Sequence, residues 1–250
     1  MKTMKERRVL VVGGSRGLGL GVVRALVADG AQVTVLARDG GRLAEVAAAL
    51  PVVTIQGDMV DAQVIDQALA SVQPEVLILN GGATPHMAPL PQQSWETFTR
   101  NWDVDVKATF LWIQAVLAGR MAPGGRVVVT SSGAALNGSP LSGSYAGAKR
   151  MVWLLCEYAN GFAAAQGLDL AFQAVVPLQI VGDTELGRAA AEAYAQRRGI
   201  SVEALLAGFG APLPPADYGR YLVDMLTDPA LRRVPVLSVK GGVGVQPMSG

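Results

Sequence analysis

One cysteine and one histidine are all the chain holds for disulfide or soft-metal chemistry. Cys156 alone excludes a disulfide framework. It lies in an apolar helical stretch, where packing is its expected use. With His86 as the only imidazole, a zinc site would need mostly carboxylates, so no metal is expected. Charge is also scarce: 16% of residues, 21 Lys and Arg against 20 Asp and Glu, net +1. There is neither a basic stripe nor an acidic tail, which argues against nucleic acid or an anionic membrane as partner. No apolar run approaches the ~20 residues that a membrane span needs. The start, MKTMKERR, is charged and followed by only a short apolar run and then glycines, unlike a secretory signal. A cytoplasmic protein is expected.

Apolar residues make up half of the chain, and 250 residues are ample for a sizeable core. Apolar, β-branched runs alternate with helical patterns. RVLVV (8–12), QVTVLA (32–37), VVTI (52–55), EVLIL (75–79), RVVVT (126–130) and LAFQAVV (170–176) read as buried strands, and VPVLSV (234–239) as a seventh. Helical stretches such as GLGVVRALVADG and GRLAEVAAAL lie between them. Such alternation implies right-handed crossovers and a parallel sheet covered on both faces. The fold class is therefore α/β, a doubly wound, three-layer arrangement with about seven parallel strands. No low-complexity linker divides the chain, so residues 1–250 read as one domain. The least regular region, 178–215, follows the carboxyl end of the sixth strand, where an insertion becomes a substrate lid.

VVGGSRGLGLGVVRAL joins the first strand to the first helix. Glycines there let backbone approach a pyrophosphate, and the helix N-terminus supplies N–H donors and positive potential. Gly13, Ser15, Arg16, Gly17, Leu18 and Gly19 are the expected contacts of a dinucleotide. A turn without ligand is the plainer alternative. The same letters, Gly13 to Gly17, also match the G-x-S-x-G elbow of a hydrolase. That reading fails because His86 stands far too early to complete a triad. The second strand ends at Arg38, near the place where an acid would bind the ribose hydroxyls of NAD. Arg38 with Arg16 suits a 2′-phosphate, which guanidiniums hold bidentately. The adjacent Asp39 leaves NAD open, and both arginines could simply be solvated. NADP(H) is the favoured cofactor.

SYAGAKRM places Tyr145 and Lys149 four residues apart, on one helix face, with only small residues between them. A lysine cation one turn away favours the phenolate and eases proton transfer to or from the tyrosine. The small spacers leave room for a ligand.

Taken with these motifs, the chain resembles the short-chain dehydrogenase/reductase family nearly end to end. The glycine turn is similar to the family's T-G-x-x-x-G-x-G, with Val12 in place of threonine. Ser132 precedes Tyr145 by thirteen residues and Lys149 follows by four, which resembles the family's active-site signature. The resemblance implies that Tyr145 exchanges a proton with a carbonyl or alcohol oxygen, that Ser132 holds that oxygen, and that Lys149 also binds the nicotinamide ribose. Asp58, followed by Met59, resembles the acid that binds adenine. Asn80, Gly81 and Gly82 stand where the family has N-N-A-G. Pro177 resembles the start of a P-G turn, with Leu178 replacing the glycine, and Thr184 the displaced threonine that touches the nicotinamide amide.

The segment DVDVKATF puts Asp105 where the family has an asparagine in a water-linked proton relay; the alternatives are a harmless isostere or a surface carboxylate. By the same resemblance His86, Met87, Leu136 and Leu178 surround a neutral, fairly apolar carbonyl or alcohol substrate. Trp102, Trp112 and Trp153 fall on helices that resemble the family's tetramer-forming pair, so a homo-oligomer, tetramer or dimer, is expected. Three functions stay open: a carbonyl reductase, a non-redox enzyme on the same fold, and a dinucleotide-binding protein without catalysis.

Overall fold

The computed structural model describes residues 3–248; the terminal pairs 1–2 and 249–250 of the expected domain lie outside the described residues. Eight strands form the sheet among these residues: β1 (Arg8–Val12), β2 (Gln32–Ala37), β3 (Val53–Gln56), β4 (Val76–Leu79), β5 (Arg126–Thr130), β6 (Ala171–Pro177), β7 (Val236–Lys240) and β8 (Gly244–Pro247). Their order is β3-β2-β1-β4-β5-β6-β7-β8. Every pairing is parallel except β7 with β8. The expected seven parallel strands are present, each within two residues of its expected ends. The eighth was not expected. Gly242 and Gly244, with φ of 73° and 90°, turn the chain straight back, so GVQP adds an antiparallel edge without an apolar run to announce it.

Why the strands read as continuous apolar runs is clear in β1. Leu10 and Val12 enter the core on one face, with Leu69, Trp112 and Trp153, while Val9 and Val11 enter the core on the other, with Leu26, Leu43 and Leu222. A strand buried on both faces has no polar side to alternate with. Helices α1 (Gly17–Ala28), α2 (Gly40–Ala49) and α3 (Ala62–Val72) lie in the first half. They are followed by α4 (Trp95–Asn101), α5 (Lys107–Ala115), α6 (Ala134–Asn137) and α7 (Tyr145–Ala165). Between α4 and α5 the helix widens into one π turn, Trp102–Val106. Trp112 and Trp153 are core residues, while Trp102 is 41% exposed. Cys156 is fully buried, and burial pushes its thiol well up, so it packs and does not react.

The segment expected to be irregular, 178–215, instead carries α8 (Glu185–Arg198) and α9 (Val202–Ala207). Thr184 caps the start of α8 and Gly199, with φ of 64°, ends it. Ala191, Ala195 and Leu205 give these two helices a small core of their own. The alanine-rich helix has little hydrophobic patterning, which is why the sequence read as a loop there.

Strand order reverses between β1 and β4, and this opens a crevice at their carboxyl ends. Helix α10 (Pro215–Thr227) packs on α1, whose N-terminus opens into the crevice. A Cβ on Gly21 would lie 1.9 Å from the Pro215 carbonyl oxygen, and one on Gly219 would lie 2.1 Å from that of Gly21. The backbones of α1 and α10 therefore touch. This brings the buried Tyr218 hydroxyl within 3.0 Å of Thr130 Oγ1, which donates to Asn80 Oδ1 at 2.9 Å. Gly219→Ala should force α10 away from α1 and destabilise the protein by about 1–3 kcal/mol, the usual cost of overpacking. Urea denaturation measures it, and an unchanged midpoint would refute the contact.

Candidate active site

Along the crevice runs a cleft of about 1320 Å³, beyond the ~300–1,000 Å³ typical of drug-sized ligands. Its floor is the glycine turn. Gly13, with φ of 81°, comes so close to the β4 loop that a Cβ there would meet the Gly81 backbone at 2.4 Å. Gly13, Ser15, Arg16, Gly17 and Leu18 line the cleft. Gly19 does not: its missing side chain lets α1 pack on the Gly13 carbonyl. Arg16 occupies the cap position of α1, and no side chain caps that helix. The first-turn N–H groups thus keep their donors for another acceptor, which is the arrangement that holds a pyrophosphate. The residues present fit a dinucleotide.

Arg38, 67% exposed on its side chain, lines the outer end. Asp58 does not line the cleft; it accepts the Val60 N–H at 3.1 Å and faces Arg38 at 4.0 Å. Met59, Asn80, Gly81 and Gly82 form the adjoining wall, and Pro177, Leu178 and Thr184 the opposite one. The Thr184 hydroxyl is taken up in capping α8, accepting the Gly187 N–H at 2.9 Å, and its methyl faces Gly17. Sequence reasoning missed Arg42 and Glu185. Arg16 and Arg42 both pair with Glu185, Arg42 at 3.0 Å. Hydrogen bonds from Arg42 and then Arg16 hold the Glu185 carboxyl below the usual carboxylate range.

The inner end is lined by Ser132, whose Oγ accepts the Ala134 N–H at 3.2 Å, and by Tyr145 and Lys149. Tyr145 opens α7, and the helical repeat carries Lys149 back under it, with Nζ 5.8 Å from the ring centre. Ser132 follows β5 by two residues, at the strand's carboxyl end. Lys149 is buried and donates to the Thr130 carbonyl at 3.1 Å. Its other partner is Asp105, at 3.1 Å, itself buried in the π turn. Asp105 also accepts the Ala83 N–H at 2.8 Å and lies 3.5 Å from Asn101 Nδ2. Burial is the largest influence on Lys149 and disfavours its charge. The Asp105 carboxylate, with Tyr145 adding to it, reverses the sign and holds the ammonium above its ordinary value. Gly82 makes room for this: a Cβ there would stand 3.0–3.3 Å from the carboxyl group. The surface-carboxylate alternative for Asp105 is thereby excluded.

Of the expected substrate-pocket residues only Leu178 lines the cleft. His86 is exposed in the β4–α4 connection, where Gln93 Nε2 binds its carbonyl at 3.0 Å. Met87 lies beside it, outside the lining. Leu136 is 43% exposed, because the single turn of α6 presents Ala134 and Asn137 to the cleft and turns Leu136 away. The wall instead combines Asn137, Ser139 and Tyr194 with Leu205 and Phe209. Tyr194 on α8 hydrogen-bonds Ser139 at 2.7 Å, tying segment 178–215 to the loop before Tyr145. Asn137 and Ser139 were signalled only by lying between Ser132 and Tyr145; nothing in the sequence pointed Tyr194 inward.

The chain is similar to several known proteins. Human L-xylulose reductase is 34% identical over 129 residues, 50% of this chain and 53% of that protein. Pig carbonyl reductase [NADPH] 2 is 31% identical over 128 residues, 50% and 52% of the two chains. The chain thus spans about half the length of these curated relatives. A short chain dehydrogenase from Burkholderia cenocepacia J2315, solved in complex with NADP, superposes with a TM-score of 0.77 at 26% identity, covering 96% of this chain and 98% of that one. The family model of the short chain dehydrogenases matches residues 7–195. With most of its length matched and the sheet of these enzymes beneath its cleft, the chain belongs to the short chain dehydrogenase family.

Proposed function

We propose that the protein is an NADP(H)-dependent reductase that converts the carbonyl of a neutral small molecule to an alcohol. The observation that carries this reading is a single cleft lined by Ser132, Tyr145 and Lys149 and also by Arg16, Arg38 and Arg42. The NADPH named for the pig relative and the NADP bound in the Burkholderia enzyme support the cofactor. Gly13, Ser15, Gly17, Leu18, Met59, Asn80, Gly81, Gly82, Pro177 and Thr184 would hold it along the cleft, with the 2′-phosphate toward Arg38 and Arg16. When bound, its nicotinamide supplies the hydride.

Tyr145 donates the proton to the carbonyl oxygen, or takes it from the alcohol in reverse. Ser132 holds that oxygen by hydrogen bond and keeps the carbonyl beside the phenol. Lys149 places a cation one helical turn from the phenol and so stabilises the charge left on it. Asp105 acts through Lys149, because it touches the ammonium and is itself 2% exposed. That direct pairing favours a positioning role over an independent acid or base, and so favours reduction over non-redox chemistry. Segment 178–215 would act as the lid, tied by Tyr194 to the loop before Tyr145. The exposed Trp102, Phe110, Tyr158 and Phe162 on the π turn, α5 and α7 support a homo-oligomer formed through these helices.

Tyr145→Phe keeps the ring and removes the proton. Carbonyl reduction should fall by roughly 10²–10⁴-fold, the worth of general acid catalysis, while NADPH binding stays nearly intact by fluorescence titration. Near wild-type turnover would take Tyr145 out of the mechanism. Arg38→Ala should weaken NADPH by about 1.5–3 kcal/mol, the range for a hydrogen bond to a charged group, and leave NADH little changed. Equal wild-type affinity for both cofactors would contradict the 2′-phosphate assignment.

Asp105→Asn removes the charge that holds the Lys149 ammonium above its ordinary value. A raised lysine keeps its proton until the pH climbs to the raised value, so losing Asp105 brings deprotonation to lower pH. Turnover at neutral pH should persist, and the alkaline fall of kcat/KM should begin earlier. The pH profile of both proteins decides it. Loss of turnover at every pH with NADPH binding intact would make Asp105 an acid or base in its own right.

A further inference from the structure

We propose that Glu185 is a cofactor-selecting residue: in the free protein its carboxylate occupies the guanidiniums of Arg16 and Arg42 that a 2′-phosphate takes on binding. The proposal rests on the NADP(H) reading and adds to it a competitor built into the chain.

The outer end of the cleft collects Arg16 from the glycine turn, Arg38 at the end of β2 and Arg42 from the first turn of α2. Each faces a carboxylate. Asp58 lies 4.0 Å from Arg38, and Asp39 lies 3.3 Å from Arg42 Nε. Both of these acids also bind their own backbone: Asp39 accepts the Arg42 N–H at 3.1 Å and caps α2, and Asp58 accepts the Val60 N–H at 3.1 Å. A ligand could draw either aside only by breaking a turn. Glu185 differs. Among the described residues its carboxylate binds only Arg16 and Arg42, one oxygen to each guanidinium. It comes from α8, on the far wall, and not from the sheet's own loops. A glutamate in a helix's first turn already suits the helix dipole; that role would not require it to bridge two arginines across the cleft.

A phosphate monoester offers guanidiniums the same forked acceptor geometry as a carboxylate. It carries about −1.5 to −2 charges near neutral pH against −1 for the carboxylate. The phosphate therefore wins the exchange, and the carboxylate reduces the net gain. A nucleotide without the 2′-phosphate has no group to displace Glu185 and leaves the bridge in place. The competition thus lowers affinity only for nucleotides that carry the 2′-phosphate. It also links that end of the cleft to α8, whose Tyr194 holds the loop before Tyr145.

The test is calorimetric titration of wild type and Glu185→Gln with 2′,5′-ADP and with 5′-AMP, nucleotides that differ only in the 2′-phosphate. The variant keeps the side-chain shape and loses the charge. It should bind 2′,5′-ADP about two- to fivefold more tightly, the scale of an exposed ion pair, with 5′-AMP unchanged. Equal tightening of both nucleotides would assign Glu185 to general repulsion of anions and overturn the proposal, as would unchanged affinity for 2′,5′-ADP. A wild type that binds both nucleotides equally would instead remove the NADP(H) reading, and the proposal with it.

Discussion

A buried charge must be paired and hydrogen-bonded, or the cost of taking it out of water is not met. Lys149 and Asp105 meet that condition together, and much of the inner site is arranged around the pair. The β5 end supplies the Thr130 carbonyl, the β4 loop supplies the Ala83 N–H and the space at Gly82, and the end of α4 brings Asn101. The π turn widens the helix at Asp105, whose carbonyl accepts the Thr109 hydroxyl at 2.8 Å. Removing one partner would strand the other away from water. The pair therefore fixes where α7 sits against the sheet, and with it the direction in which Tyr145 points.

Charge is distributed unequally along the cleft, and the inequality matches two chemical tasks. At the inner end one cation and one anion are buried and held from several sides, so their positions are set before any ligand arrives. At the outer end three arginines and three carboxylates are solvated. Exposed pairs of this kind are worth little individually and yield readily to a stronger anion. Rigid placement suits proton transfer, which depends on fractions of an ångström. Exchangeable pairing suits the entry and release of a charged ligand.

The contact of α1 with α10 joins these two ends mechanically. Gly21 and Gly219 let the two backbones touch, so α10 delivers Tyr218 to Thr130 and Thr130 to Asn80. Asn80 in turn lies beside the glycine turn, its Nδ2 3.0 Å from the place a Cβ of Gly19 would take. The floor of the dinucleotide end and the carboxyl end of β5 are thus held in register through hydroxyl groups buried between sheet and helix.

What the chain alone determined is local. RVLVV and its counterparts are apolar on both faces, so they had to lie in a covered parallel sheet. The glycine turn had to open a helix, and Tyr145 and Lys149 had to share a helix face. Each of these follows from periods of two or 3.6 residues acting over one or two turns. The tertiary structure decided what depends on meeting across the sheet. No local pattern announced β8, whose pairing rests on two glycines with positive φ. None told α6 to turn Leu136 outward, or α8 to carry Glu185 onto Arg16 from 169 residues away. That Asp105 meets Lys149 directly, with Gly82 as the space between elements, likewise rests on packing. A sequence shows which residues are charged; only the packed chain settles which charges lie within 3 or 4 Å of each other, and Coulomb's law makes that distance the chemistry.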